Sequence, residues 1–343
     1  MLPDNLVESL ASDLEGLVIH SAPASSWSKH NSAWNIFFRF CKENCIPEIW
    51  PTNTKTIRAF AVWAVSRKNL KPSTIKSYIS SIALGHDLSG LPHDDFSKDK
   101  ILHLILKGAN NNSIHYNANC DKKISVNPSM LCVLGHRIST SEGDAIFKQA
   151  VWTACLVSFF SSCRMGEILT CNATSFDPGT NVTWENLKFT KEGEIVIYLP
   201  YTKTMGFKGD FIDLFPFPKK NYCPVENLHK LRKMLKAAGF FNPSYPIFMI
   251  SKGFLLTQNK LNELLGFLMS DFCENQNVKI TCHSFRASLP SLIESLAEKG
   301  FSKDVKEWGR WSSSAYVSYT KNVRERKRLV FNKIIEVLIN LLK

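Results

Sequence analysis

Residues 144–167 read Asp-Ala-Ile-Phe-Lys-Gln-Ala-Val-Trp-Thr-Ala-Cys-Leu-Val-Ser-Phe-Phe-Ser-Ser-Cys-Arg-Met-Gly-Glu. The run from Asp144 to Ser161 is strongly apolar at helical length and predicts a helix. It ends at Ser161-Ser162-Cys163 and hands the chain to Arg164 and Glu167. C-terminal to it, Glu-Ile-Val-Ile-Tyr-Leu-Pro (residues 194–200) and Asp-Phe-Ile-Asp-Leu-Phe (residues 210–215) are rich in β-formers. Tyr-Thr-Lys-Thr-Met-Gly-Phe-Lys-Gly between them reads as a hairpin connection. Helical patterns resume at 225–238 and 257–274 and again after 284. Residues 126–322 therefore predict an α+β domain.

N-terminal to the apolar helix the character is different. Trp34, Phe37, Phe38 and Cys41 fall at helical spacing, and Pro47 and Pro51 end that element. A second helix is expected from Thr54 to Arg67, with Ile57, Phe60, Ala61 and Ala64 inward. A third starts at Lys71-Pro72-Ser73 and carries Ile75, Tyr78, Ile79 and Ile82. A fourth, over 98–109, carries Ile101, Leu102, Ile105 and Leu106. Residues 25–110 thus predict an all-helical bundle. Residues 1–24 are weakly patterned and expected to be flexible, and the polar stretch 111–125 reads as an interdomain linker. The fold class expected is mainly α with a small β-sheet: an N-terminal helical bundle followed by an α+β domain, with a C-terminal helix over 323–343.

Composition narrows the function. The chain has 343 residues, which suits two domains. Its 42 Lys and Arg against 30 Asp and Glu leave a formal charge of +12, and so basic a chain is expected to meet a polyanion, nucleic acid first. No apolar run reaches the roughly 18 residues of a membrane span, and Met1-Leu-Pro-Asp-Asn opens without a basic, then apolar, secretory pattern. The expectation is an intracellular protein, nuclear in a eukaryotic host. Ten cysteines are scattered with no Cys-x-x-Cys pair, which reads as reduced, buried thiols and not as a metal site or a disulfide framework.

Five short segments carry chemistry: Ser-Ser-Cys-Arg164-Met-Gly-Glu167, Tyr-Thr-Lys203-Thr, His283-Ser-Phe-Arg286, Trp308-Gly-Arg-Trp311 and Ser-Ala-Tyr316-Val-Ser-Tyr319. Each alone is an ordinary helix-end, hairpin or packing residue. Their order is what gives them weight. In that order they resemble the catalytic pattern of the tyrosine recombinases, which runs Arg, Lys, His-x-x-Arg, His or Trp, then Tyr. The matching positions are Arg164, Lys203, His283, Arg286, Trp311 and Tyr319, with Glu167 in the place of a frequent supporting acid. The stretch Gly-Arg-Trp-Ser-Ser-Ser-Ala-Tyr-Val-Ser-Tyr is most similar to recombinases of DIRS-type and Crypton-type mobile elements. Tyr319 lies eight residues after Trp311, one fewer than in many phage and bacterial members, which leaves Tyr316 as the alternative nucleophile. The resemblance extends to the helical half, which is similar to the family's core-binding domain.

The resemblance implies DNA cutting and rejoining through a 3′-phosphotyrosine, as integration or another site-specific recombination. Breaking a phosphodiester concentrates negative charge on its nonbridging oxygens, and two guanidinium forks can bind those oxygens bidentately. Lys203 would protonate the leaving 5′-oxygen and His283 would donate a hydrogen bond or relay a proton. The Trp311 indole N–H would donate to the phosphate. Such a reaction needs neither metal nor nucleotide cofactor, and no small-molecule cofactor is expected. The partner implied is double-stranded DNA, held by a self-associated tetramer, with phosphate contacts from Arg58, Lys71, Lys76 and Lys122. No membrane is involved. The alternatives are a catalytically silent DNA-binding descendant and a topoisomerase-like relaxing enzyme. The C-terminal segment from Arg328 is too apolar to stand free in water; it packs on its own domain or on a neighbouring protomer.

Overall fold

Asn53 opens the second helix of the N-terminal half by accepting a hydrogen bond from the Thr56 N–H at 3.0 Å, the expected use of a short amide at an N-cap. The computed structural model describes residues 13, 15–22, 24–47, 50–116, 122–276, 278–289, 291–292, 328, 331–332, 335 and 337–342. The chain divides into two units, Met1–Cys120 and Asp121–Lys343.

In the first unit α1 (Ala24–Glu43), α2 (Thr54–Lys68), α3 (Pro72–Leu88) and α4 (Lys100–Tyr116) pack around Phe37, Phe60, Ile57, Ile75 and Ile82, all fully buried. Phe37 and Phe60 meet edge to face with ring centroids 5.4 Å apart, a geometry that adds about 0.5–1.5 kcal/mol to the burial itself. Pro72 sits in the first turn of α3, where its missing N–H costs nothing. Two expectations need correcting here. Ile101 is 49% exposed, because the buried stripe of α4 runs through Leu102 and Ala109, and Ile101 points about 100° away from Leu102. The helix also continues to Tyr116, through the first residues of the stretch expected to be linker. Residues 15–20 are helical.

The second unit is built on α6 (Ala145–Ser161), which follows α5 (Pro128–Thr140). Asp144 caps α6 by accepting from the Ile146 N–H at 2.7 Å. From Gln149 onward nearly every α6 residue is buried. The helix is therefore a central post, and its polar side chains must find partners inside. Gln149 Nε2 donates to Asn227 Oδ1 at 2.8 Å on α8 (Pro224–Ala237), and Thr153 Oγ1 donates to the Gln149 carbonyl at 2.6 Å. An antiparallel sheet of β2 (Leu187–Phe189), β3 (Ile195–Leu199) and β4 (Asp210–Leu214) buries Ile195, Ile197 and Leu199 on one face and pairs Tyr198 with Phe211 on the other. The remaining elements are α7 (Met165–Ile168), β5 (Met249–Ser251), β6 (Phe254–Leu255), α9 (Gln258–Leu268), α10 (Ser270–Gln276) and α11 (Cys282–Arg286). A short parallel pair, β1 (Lys122–Lys123) with β7 (Val278–Lys279), also belongs to this unit.

The described C-terminal residues pack on this same unit. Arg328 pairs with the buried Glu194, Nη2 to Oε1 at 2.6 Å. Phe331 lies among Phe160, Phe215 and Phe217, and Lys219 Nζ donates to the Leu342 carbonyl at 3.1 Å. Within the single chain this segment therefore covers its own core. Among the described residues no helix is long and apolar enough to cross a membrane.

Candidate active site

The C-terminus of α6 turns sharply. Ser162 adopts the left-handed conformation, φ 55° and ψ 24°, a region usually reserved for glycine or asparagine at a helix end. That turn delivers Arg164 to the start of α7. Glu167 then holds Arg164 twice: its Oε2 accepts from the Arg164 backbone N–H at 3.1 Å and its Oε1 accepts from Nη1 at 2.9 Å. Glu167 is buried while the Arg164 side chain keeps 30% of its surface exposed. The carboxylate thus fixes the guanidinium from behind and leaves its outer edge to solvent. Gly166 fits this turn because a Cβ there would come within 2.8 Å of Gln258 Oε1 at the start of α9.

Arg286 comes from the other end of the unit. It closes α11, whose first N–H, that of Cys282, donates to Asn262 Oδ1 at 2.8 Å on α9. Ser284 Oγ accepts from the Thr281 N–H at 3.1 Å. Only 6% of Arg286 is exposed. Its Nη1 donates to the Ser162 carbonyl at 3.4 Å across 124 residues of sequence. Two arginines from distant segments therefore share one turn, and α11 packs against both α6 and α7. His283 occupies the exposed side of the same short helix. The buried Glu167 carboxylate offsets part of the positive charge of Arg164. Such a cationic, anchored corner is suited to a doubly coordinated oxyanion such as a phosphodiester.

Lys203 stands exposed at the tip of the β3–β4 hairpin. Thr202 and Gly206 pair across that tip, the Thr202 N–H donating at 3.1 Å and the Gly206 N–H at 2.8 Å. Thr202 Oγ1 accepts from the Met205 N–H at 3.0 Å. No hydrogen bond or ion pair among the described residues joins Lys203 to the arginine corner. Trp308, Trp311, Tyr316 and Tyr319 lie outside the described residues.

Burial pushes the Cys282 thiol up to about 12 and the Tyr222 phenol up to about 12. Both stay protonated near neutral pH, and neither is activated. Among the described residues no cluster of His, Cys, Asp or Glu could hold a metal ion.

Of the residues expected to touch DNA, Lys71 and Lys76 are exposed on the first unit. Arg58 is engaged elsewhere. Its Nε donates to Asp99 Oδ1 at 3.0 Å and its Nη2 to Oδ2, a bidentate pair that ties α2 to the start of α4. Lys122 belongs to β1 by its backbone. Sequence reading missed Ser162, because a backbone carbonyl leaves no residue-type signature.

No protein-family model matches the chain, and no curated protein does. Solved structures do. The Tn1549 transposon integrase in complex with transposon right end DNA is similar at 13% identity and a TM-score of 0.52, over 89% of this chain and 93% of that one. The XerH site-specific recombinase bound to its difH substrate, a pre-cleavage complex, is similar at 14% identity and a TM-score of 0.50, over 85% of this chain and 70% of that one. The fold is that of the tyrosine recombinases: mainly helical, with small antiparallel sheets.

Proposed function

We propose that the chain is a site-specific DNA recombinase of the tyrosine type, of the mobile-element branch, which cuts and rejoins duplex DNA with Tyr319 as nucleophile. The observation that carries the reading is the shared turn: Arg286 bonded to the Ser162 carbonyl two residues before the clamped Arg164. Arg164 and Arg286 would bind the nonbridging oxygens of one phosphate and tighten as negative charge grows on them. The Tyr319 phenol, poor as a nucleophile at its free pKa of roughly 10, would give its proton to a base or to water beside that positive charge and attack phosphorus. The P–O5′ bond would break, leaving a 3′-phosphotyrosine and a 5′-hydroxyl protonated by Lys203. His283 and Trp311 would hydrogen-bond the phosphate. Rejoining runs the same steps backward with a new 5′-hydroxyl. The phosphotyrosine conserves the bond energy, so no nucleotide is consumed. The proposed assembly is a tetramer on two DNA sites.

A library of nicked duplexes, in which the released fragment diffuses away, should trap a denaturant-stable protein–DNA adduct. Tyr319→Phe should abolish it and Tyr316→Phe should not; the opposite pattern moves the nucleophile to Tyr316. No adduct from the unaltered chain on any duplex would favour the silent DNA-binding reading.

A further inference from the structure

Phe207 is 73% exposed at the end of the β3–β4 connection, where an apolar ring has no core to join. It is held in place: Tyr201 meets it edge-on at 5.1 Å between ring centroids. A second aromatic pair lies on the same hairpin. Tyr198 and Phe211 face each other across the strands at 5.2 Å, and Phe211 is 55% exposed. Gly209, at φ 67°, is required here, since a Cβ would meet the Tyr198 ring at 2.6 Å. Two exposed amines, Lys203 and Lys208, flank Phe207 in the turn. The rim of this patch carries two amines, on a chain of net charge +12. A ring face beside an ammonium matches a nucleotide, which offers a π-face and a phosphate together.

We infer that this hairpin tip is a base-stacking site, in which Phe207, braced by Tyr201, receives an unpaired nucleobase while Lys203 and Lys208 face its backbone. The inference rests on the proposed reading in one respect: cutting one strand of a duplex frees bases from their stack, and a recombinase must hold them until they are rejoined. The site would make Phe207 a determinant of how the opened strand is held.

The test is binding of the full chain to two labelled duplexes of equal length, one intact and one with a short single-stranded gap, measured by fluorescence anisotropy. Phe207→Ala should weaken binding to the gapped duplex about tenfold and to the intact one less than about twofold. Phe207→Trp should retain the parent affinity for both. Abasic spacers in the gap should weaken the parent chain as much as Phe207→Ala does. Phe267→Ala, at a ring 76% exposed on α9, should change neither. Equal losses on both duplexes, or none on either, would overturn the stacking site. So would a loss of self-association in sedimentation with DNA affinity unchanged, which would make the patch a contact between copies. A parent chain that binds neither duplex would instead remove the DNA reading itself.

Discussion

Ser162 concentrates more conflict than any neighbour at the site. It is fully buried, its backbone is left-handed, and its hydroxyl has no hydrogen-bond partner among the described residues. The strain costs roughly 1–2 kcal/mol and the unpaired hydroxyl about 1–3 kcal/mol. Its carbonyl nonetheless holds Arg286, and backbone strain persists where the surroundings over-determine it. Ser162→Gly should relieve both costs while keeping the carbonyl, offset by about 0.5–1 kcal/mol of glycine entropy. The expected result is a denaturation midpoint equal to or above that of the parent, whereas Ser162→Val should fall below it. Arg286→Lys probes the corner from the other side. An ammonium keeps the charge and loses the planar fork, so adduct formation should drop at least about a hundredfold, with DNA affinity within about tenfold because phosphate contacts are spread widely. Equal losses in both would assign Arg286 to binding alone. The residue types of this corner were legible in the sequence, since Arg164, Glu167, His283 and Arg286 were all picked out by order. What binds Arg286 was not, because the acceptor is a main-chain oxygen.

At the scale of elements, the Arg58–Asp99 pair ties α2 to the start of α4, and Arg58 is one of the residues expected to contact phosphate. The Arg58 guanidinium beside it, and next the Leu102 N–H, hold the Asp99 carboxyl below its usual range. A carboxylate with a depressed folded pKa contributes stability that is present above its unfolded value of about 3.9 and lost as pH falls through the folded value. Arg58 stays charged throughout. Arg58→Ala should therefore lower the melting temperature at pH 7, and the difference from the parent should shrink below about pH 4. Its DNA affinity should stay within about threefold, the loss expected of one screened charge; a far larger loss with unchanged melting would return Arg58 to the phosphate contacts. Charge in a sequence marks a candidate contact but not its partner, which here lies 41 residues away. Helix starts were legible to within a residue or two at Thr54 and at Lys71-Pro72-Ser73. The end of α4 was not, because a helix once nucleated propagates through asparagines at small cost, and Ala109 still packs inward. The hairpin was legible from its two β-rich runs, and the exposure of Phe207 at its tip was not, because an apolar residue is expected to be buried.

For the whole molecule, 42 cationic residues against 30 acidic ones set how binding responds to salt. Several cations are already neutralised within the fold: Arg58 by Asp99, Arg164 by Glu167 and Arg328 by Glu194. Under the proposed function the charge offered to DNA is thus less than a count of lysines and arginines suggests, and exposed groups such as Lys71 and Lys76 on the first unit and Lys203 and Lys208 on the second would supply it. Each phosphate neutralised releases condensed counterions, so the logarithm of affinity should fall linearly with the logarithm of salt, with a slope of about −0.9 per contact. A duplex engaged by both units should involve at least about six contacts, and affinity should then drop about a thousandfold or more between 50 and 200 mM salt. Replacing Lys71 and Lys76 together by glutamine should make the slope about 2 units shallower without altering adduct formation at low salt, since neither lies in the second unit, which holds Arg164 and Arg286. A slope unchanged by that pair would mean that Lys71 and Lys76 do not touch the phosphates.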